Sequence, residues 1–273
     1  MASPTEITAA QLSKLIGLPN CPALIDIRID EDFAARPRLM PGARRRRHTD
    51  VQSWLSDYAG RKCVVICHKG KKLSQGVAAL MRTEGIEAET LEGGAVAWIE
   101  AGLPTINPAC LPDRDARGRT LWVTRARPKV DRVACPWLIR RFVDPDAAFL
   151  FVSPAEVMDV ADRFSAEPFD LEGVFWSHRG EECTFDTMLR EFELVHPALQ
   201  HLAVIVRGAD TARPDLAPEC AGLLAASLGL SRMYRDDLQQ LDAALGVYDA
   251  FYRWCRDATD EGHDWPMRTG GGK

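Results

Sequence analysis

The chain has 273 residues, of which 46% are hydrophobic and 27% charged, a composition typical of a globular protein with room for two domains. No apolar run approaches the ~18 residues of a membrane span, so a membrane protein is not expected. The first thirty residues lack the basic and then apolar layout of a secretory signal, which predicts a cytoplasmic location.

The net charge of −5 is distributed unevenly along the chain. Residues 1–120 contain 17 Lys and Arg against 14 Asp and Glu, a balance of +3, whereas residues 121–273 contain 17 against 25, a balance of −8. Nucleic acid is therefore not expected as a partner of the second half, and the first half is the better host for a small anion. The eight cysteines include no CxxC pair, which indicates neither a disulfide framework nor a structural zinc ribbon.

The first half alternates between strand and helix patterns. Short apolar runs predict strands in PALIDI (22–27), KCVVIC (62–67) and EAETL (87–91). Helical stretches lie around them in ITAAQLSKLI (7–16), GVAALMRTEG (76–85) and GAVAWIEAG (94–102). This alternation predicts an α/β domain with a parallel sheet and flanking helices, in which ligands bind at the carboxyl ends of the strands.

The segment CHKGKK (67–72), here called the cysteine loop, joins the second of these strands to a helix. Lys69, Lys71 and Lys72 add positive charge where a helix N-terminus offers unpaired N–H groups, and Gly70 permits a tight turn. These features favour the thiolate of Cys67 and an anion bound above it. The alternative is a buried strand end followed by a solvated turn; three lysines and a glycine directly after the strand favour the reactive cysteine.

Residues 7–104 resemble a rhodanese domain. The resemblance rests on four ordered motifs: LIDIR with DEDF (24–33), MPGA (40–43), the cysteine loop, and GGAVAWIEAGLP (93–104). It implies that Cys67 accepts sulfane sulfur from a small anionic donor such as thiosulfate, becomes a persulfide and passes the sulfur to a thiol acceptor. It also implies that the loop binds the donor through His68, Lys69, Gly70, Lys71 and Lys72, and that no cofactor is required for sulfur transfer.

Two departures from the rhodanese pattern bear on the choice of donor. Lys72 stands where the family often has arginine, which removes bidentate recognition of an anion. The segment before MPGA is ARPRL (35–39) rather than a histidine-bearing form. The related phosphatases have a loop one residue longer, so the resemblance favours sulfur transfer over hydrolysis of phosphate esters.

Two segments of the first half have less specific patterns. The run Arg44–Arg47 in ARRRRHTD (43–50) is expected to be a solvated loop, with ion pairs to the acidic second half as the chief alternative. The proline-containing stretch 103–120 has no apolar periodicity and is the predicted linker. The chain is therefore divided into a rhodanese-like domain at 1–108, a linker at 109–120 and a second domain at 121–273.

The second half is predicted to be a mainly helical α+β domain. Apolar periodicity indicates helices in HPALQHLAVIVRG (196–208), PECAGLLAASLGL (218–230) and DDLQQLDAALGVYDAFYRWCRD (236–257). The predicted strands are AAFLFV (147–152) and GVFWSH (173–178). The glycine-rich tail, residues 268–273, is expected to be disordered.

Residues 122–152, beginning WVTRARPKVDRVACPW, resemble the start of the C-terminal domain of ChrB-type chromate-resistance proteins, and the resemblance continues to VYDAFYRWCR (247–256). It implies a role in tolerance of chromate or related oxyanions, with chromate as a partner, but it supplies no reaction. Full ChrB-type regulators have a different N-terminal domain that would bind DNA, so the rhodanese domain in its place argues against a repressor.

Two sets of polar residues in the second half suggest binding sites. A basic set could bind a dianion, although ion pairs with the surplus carboxylates are the favoured interpretation; it comprises Arg125, Arg127, Lys129, Arg132, Arg140 and Arg141. A second set could hold a metal ion, with His178 and Asp210 as its chief members; it also includes Glu182, Cys183, Asp186 and Glu219. The spacing fits no standard metal motif, so a plain turn with a helix N-cap at Thr184 is the favoured alternative.

The sequence as a whole predicts a rhodanese-type sulfurtransferase with Cys67 as its nucleophile and a metal ion as an optional component of the second domain. One rival is a sensor that binds chromate or a metal and uses Cys67 as a redox reporter. The other is a transcriptional regulator, which salt-dependent DNA binding would reveal.

Overall fold

The computed structural model describes residues 5–262, so the predicted disorder of the glycine-rich tail falls outside the described residues. The first half contains five parallel strands in the spatial order β1-β5-β4-β2-β3. The strands are β1 Glu6–Ile7, β2 Ala23–Asp26, β3 Ala43–Arg45, β4 Cys63–Ile66 and β5 Ala88–Leu91. The helices are α1 Ala9–Ser13, α2 Asp30–Ala35, α3 Val51–Trp54, α4 Lys72–Thr83 and α5 Gly94–Glu100. The predicted α/β class is confirmed.

Side chains of the central strand alternate between two apolar cores. Val64 and Ile66 belong to a core that continues into the second half. Cys63, Val65 and Cys67 face a separate core beneath α4. Because both faces of the strand are covered, the sequence CVVI is apolar throughout rather than alternating, and the strand delivers Cys67 to the N-terminus of α4.

The second half is mainly helical, as predicted, and contains a small parallel sheet with the order β7-β6-β8. The strands are β6 Leu121–Arg125, β7 Ala148–Val152 and β8 Glu167–Pro168. The helices are α6 Asp131–Leu138, α7 Val157–Phe164, α8 Thr184–Glu191, α9 Pro197–Asp210, α10 Cys220–Met233 and α11 Asp237–Asp257. Among the helices of the described residues, none is sufficiently long and apolar to cross a membrane.

Two predictions about the second half are wrong. GVFWSH is not a strand; it contributes one isolated bridge, between Phe169 and Trp176. Trp176 is buried because its ring stacks on Phe192 at a centroid distance of 4.8 Å, so side-chain packing rather than a strand ladder fixes the segment. The N-cap of α8 is Cys183 and not Thr184, because Asp186 accepts a hydrogen bond from the Cys183 backbone N–H at 3.0 Å.

The arginine run is not a solvated loop, and this prediction is also wrong. Its first residues form the edge strand β3, which pairs with β2. The guanidinium groups are paired with carboxylates: Arg44 with Asp146 of the second half at 4.0 Å, Arg45 with Asp30 at 2.9 Å, and Arg46 with Asp57. The predicted alternative, an ion pair to the second half, therefore holds for Arg44 only. The edge strand was not predicted from the sequence, because strands are normally identified by β-branched and aromatic residues and this segment has four arginines.

Most of the basic set of the second half is ion-paired, as the favoured interpretation expected. Arg125 and Arg132 contact Asp170, Arg140 contacts Asp242, and Arg141 contacts Asp249. Arg127 binds backbone carbonyls near the end of α10.

The two halves share one continuous apolar core. Ile16 and Trp98 of the first half belong to the same cluster of buried residues as Phe142 and Tyr252 of the second. The contact is close at Gly17, whose φ is +78°: a Cβ there would lie 2.9 Å from the Tyr252 ring and would collide with Phe142. The Gly42 N–H donates a hydrogen bond to the Phe142 carbonyl at 2.7 Å. The halves are therefore packed against each other rather than tethered.

Candidate functional sites

Cys67 lies directly after β4, at the carboxyl end of the central strand of the five-stranded sheet. Its side chain is buried, and the residue is 5% exposed. Its Sγ lies 3.1 Å from the Ser74 hydroxyl oxygen and 3.9 Å from the Lys71 carbonyl oxygen. Ser74 comes from the first turn of α4, so the thiol faces a hydroxyl group and a helix N-terminus.

The shape of the cysteine loop depends on two glycines in the left-handed region. Gly70 has φ +65°, and a Cβ on it would collide with the Leu91 carbonyl and lie 2.8 Å from the Gly93 and Gly94 nitrogens. Gly94 has φ +62° and faces the same loop. The start of α5 anchors the loop, because the Ala95 N–H donates to the Cys67 carbonyl at 3.0 Å. Only residues without a Cβ fit this approach of two backbones.

The loop presents hydrogen-bond donors and positive charge without partners. In the described part of the chain, the backbone N–H groups of residues 68 to 71 have no acceptor. Over the same residues, 5–262, Lys69, Lys71 and Lys72 take part in no ion pair, and all three are exposed. His68 is half-buried beside them. The six predicted residues belong to one loop, whose free N–H groups and lysine charges suit an anion close to Cys67; their roles stay predictions.

Three other cysteines, Cys63, Cys135 and Cys183, are buried in packed surroundings. Cys63 is fully buried on the same face of β4, and burial raises the pKa of its thiol to about 11. Burial also raises the pKa values of the Cys135 and Cys183 thiols well above the ordinary range, and nearby carboxylates add to the shift. The prediction that Cys63 is a packing residue agrees with this burial.

A second group of polar side chains meets in the other half of the molecule. It consists of Asp131, Asp170, His178 and Asp210 and is called the histidine cluster below. The His178 Nε2 lies 3.2 Å from Asp210 Oδ2, 3.4 Å from Asp170 Oδ1 and 3.5 Å from Asp131 Oδ2. Asp131 is fully buried, Asp170 nearly so, and the His178 side chain is 39% exposed.

Each buried carboxylate of the histidine cluster is oriented by other groups. Asp131 accepts hydrogen bonds from the backbone N–H groups of Thr184 and Phe185, at 2.6 and 3.2 Å, at the start of α8. Asp170 accepts from the Thr184 hydroxyl at 3.0 Å and from Arg125 at 3.0 Å. Helix α8 therefore begins on the cluster, and its first turn fixes two of the acids.

The surroundings shift the pKa values of the cluster in opposite directions. The carboxylates of Asp131, Asp170 and Asp210 around Nε2 raise the pKa of His178 to about 12. Burial raises the pKa of Asp131 to about 6, although the neighbouring imidazole opposes the shift. Burial would also raise the pKa of Asp170, but His178 and Arg125 outweigh it and lower the pKa. These shifts favour a positively charged imidazole beside an ionised Asp170.

The structure brings together His178 and Asp210, as the sequence predicted, but not the other predicted members. Glu182 pairs with Arg190, Asp186 pairs with Arg207 at 3.5 Å, and Cys183 and Glu219 lie at the starts of α8 and α10. Sequence reasoning missed Asp131 and Asp170. The available signal was a single acid in an otherwise apolar or basic context, as in KVDRVAC, where a buried carboxylate needs a partner.

Two protein-family models match the chain, and each contains one of the two candidate sites. A family model described as rhodanese-like domain matches residues 8–101, and one described as ChrB, C-terminal domain, matches residues 122–255. The chain joins a rhodanese-like domain to a ChrB C-terminal domain. The cysteine loop lies in the former and the histidine cluster in the latter.

One relative of the chain has a name that matches the second family model. The chain is 26% identical to Protein ChrB of Cupriavidus metallidurans in an alignment 227 residues long, which covers 76% of this chain and 68% of that protein.

Two similar solved structures each cover about a third of the chain. A rhodanese-related protein from Thermoplasma volcanium is 20% identical, with a TM-score of 0.33, and the match covers 37% of this chain and 96% of that one. A rhodanese-like domain protein from Staphylococcus aureus is 26% identical, with a TM-score of 0.31, and the match covers 34% and 90%.

Proposed function

We propose that the chain is a sulfurtransferase in which Cys67 carries sulfane sulfur as a persulfide. The observation that supports this most directly is the composition of the cysteine loop. Within residues 5–262, the loop combines a buried thiol with backbone N–H groups that have no acceptor and three lysines that form no ion pair. Sulfane sulfur donors such as thiosulfate are small anions that present a sulfur atom for nucleophilic attack, and they match both requirements.

The reaction needs no redox cofactor, because in each step one bond to the transferred sulfur forms while another breaks, with no net gain or loss of electrons. The Cys67 thiolate attacks the outer sulfur of thiosulfate, a bond forms between Sγ and that sulfur, and sulfite leaves with the electron pair of the broken sulfur–sulfur bond. A thiol acceptor or cyanide then attacks the outer sulfur of the persulfide, and Cys67 leaves as a thiolate. The loop N–H groups and the Ser74 hydroxyl stabilise the negative charge in both steps.

The decisive experiment combines turnover with mass spectrometry on the full chain. Incubation with thiosulfate is expected to add the mass of one sulfur atom to a peptide containing Cys67, and addition of cyanide is expected to remove it and yield thiocyanate. The Cys67→Ser variant is expected to lose both signals. Cys110→Ser is the matched control, since Cys110 is half-buried in a short turn at Pro108–Cys110. Turnover by Cys67→Ser would refute the proposal.

The ChrB C-terminal domain connects this chemistry to chromate resistance, and we place the sulfur transfer in that process. A host that depends on the full chain for growth on chromate is expected to lose tolerance with Cys67→Ser and to keep it with Cys110→Ser. Oxidant-dependent modification of Cys67 without any turnover would instead favour the redox sensor. The cytoplasmic location and the absence of nucleic-acid partners stay predictions.

A further inference from the structure

The sulfurtransferase reaction leaves the histidine cluster without a role. A protonated Nε2 of His178 carries a single hydrogen, which can be directed to one oxygen at a time, yet oxygens of three carboxylates lie 3.2 to 3.5 Å away. Charge-assisted hydrogen bonds of this kind are usually about 2.7–2.9 Å long. One proton therefore serves this arrangement poorly, and at least two of the oxygens receive no hydrogen from the imidazole.

The same distances fit a shell of metal ligands. Nitrogen and oxygen ligands lie about 2.0–2.2 Å from a zinc-sized ion, which places neighbouring ligand atoms of a tetrahedral site about 3.4 Å apart. The ligand atoms of Asp131, Asp170 and His178 all lie within 4.8 Å of one another. Asp210 lies outside this group, although its Oδ2 is 3.2 Å from Nε2, so it becomes the fourth ligand through a movement of its side chain toward the other two carboxylates.

The carboxylates are held in position by hydrogen bonds from groups other than His178. Asp131 is fixed by two N–H groups of α8, and Asp170 by the Thr184 hydroxyl and Arg125. The Asp131 backbone N–H in turn donates to Asp210 Oδ1 at 3.4 Å. Hydrogen bonds of this kind orient the ligands of metal sites.

The cluster is also accessible from solvent on one side. A depression of about 510 Å³ is lined by Arg125, Asp170, Ser177 and His178, together with the turn 171–174. An ion bound at Nε2 would thus have a coordination position facing the depression, as catalytic metal sites do.

We propose that the histidine cluster binds one divalent first-row metal ion through His178 Nε2 and one oxygen each of Asp131, Asp170 and Asp210. The ion takes the place of the Nε2 proton, which is released to solvent. Three oxygens and one imidazole suit Mn²⁺, Fe²⁺ or Zn²⁺ rather than a thiolate-seeking ion such as Cu⁺. Cys135 and Cys183 are close by, but each is fully buried and contacts a carboxylate through its Sγ.

The test uses the full chain, stripped of metal with a chelator and titrated calorimetrically with Mn²⁺ and, separately, with Zn²⁺. The wild type is expected to bind one equivalent of at least one of the two ions and to retain it through desalting. His178→Ala and Asp210→Asn are each expected to bind at least about tenfold more weakly. His201→Ala is the matched control, because His201 is a half-buried histidine whose ring lies against Trp254 on another face.

Thermal unfolding of the same samples shows whether each variant is folded, so that a loss of metal binding can be distinguished from a loss of structure. The ion is expected to raise the Tm of the wild type and of His201→Ala but not that of Asp210→Asn, which keeps the size of the side chain. The proposal is overturned if the wild type binds neither ion, or if His178→Ala and Asp210→Asn fold and bind as tightly as His201→Ala. Sulfur transfer by Cys67 does not enter the test, so either proposal can fail alone.

Discussion

The two candidate sites differ in whether backbone groups or side chains form them. The cysteine loop is made mainly of backbone: unpaired N–H groups, two glycines at positive φ, and one reactive side chain. The histidine cluster is made of side chains contributed by four separate segments, each held by hydrogen bonds. The cysteine loop therefore depends on chain conformation as much as on the Cys67 side chain, whereas the histidine cluster depends on each of its four side chains.

The largest effect is expected from a methyl group added to the cysteine loop. In Gly70→Ala the Cβ would collide with the Leu91 carbonyl, so the loop must move away from α5. A displacement of this size is expected to reduce kcat/KM for thiosulfate and cyanide about a hundredfold. Gly76→Ala is the matched control: its Cβ meets no atom within 4 Å, it lies inside α4, and activity is expected to be unchanged. Equal activity of Gly70→Ala and Gly76→Ala would contradict the conclusion that the backbone conformation at Gly70 shapes the site.

A smaller effect, on stability rather than turnover, is expected at Asp131. Asp131→Ala removes the acceptor of the Thr184 and Phe185 N–H groups and leaves them buried without a partner. The free energy of unfolding in urea is expected to fall by about 2 kcal/mol. Asp242→Ala, an exposed carboxylate paired with Arg140, is expected to change it by less than about 0.5 kcal/mol. At a temperature where Asp131→Ala is folded, its sulfur transfer rate should match the wild type; a lower rate would show that the two sites are coupled.

The cysteine loop was easier to predict from the sequence than the histidine cluster. The cysteine loop is six contiguous residues between a strand and a helix, so its position and shape could be predicted from local pattern. His178 and Asp210 could be identified as metal-binding types, but Asp131 and Asp170 could not be joined to them. Their proximity is created by the packing of α6, α8 and α9 around a small sheet, which no local pattern encodes.

Two local errors have the same origin. Arg44 and its neighbours form an edge strand because carboxylates of other segments neutralise them, and that pairing is a property of the tertiary fold. GVFWSH has the composition of a strand, yet the stacking of Trp176 on Phe192 decides its conformation.

The smallest effect is expected from the lysines of the cysteine loop. They are exposed, and salt screens their attraction for an anion, so each contributes at most about 1 kcal/mol. Lys69→Gln is expected to raise KM for thiosulfate about threefold at low salt with kcat nearly unchanged, and the difference should shrink as salt is added. Lys14→Gln, an exposed lysine on the segment after α1, is the control. A large loss of kcat in Lys69→Gln would mean that the charge acts on the transition state rather than on binding.

The core shared by the two halves has a consequence for biosynthesis. The strands around Cys67 are complete once the ribosome has released about the first hundred residues, but the apolar surface formed by Ile16, Gly17 and Trp98 stays bare at that point. Its cover includes Tyr252, which lies in the last described helix. If the first domain folds during translation, this apolar surface is exposed until Tyr252 has been synthesised, and exposed apolar surface of this kind favours aggregation of incomplete chains.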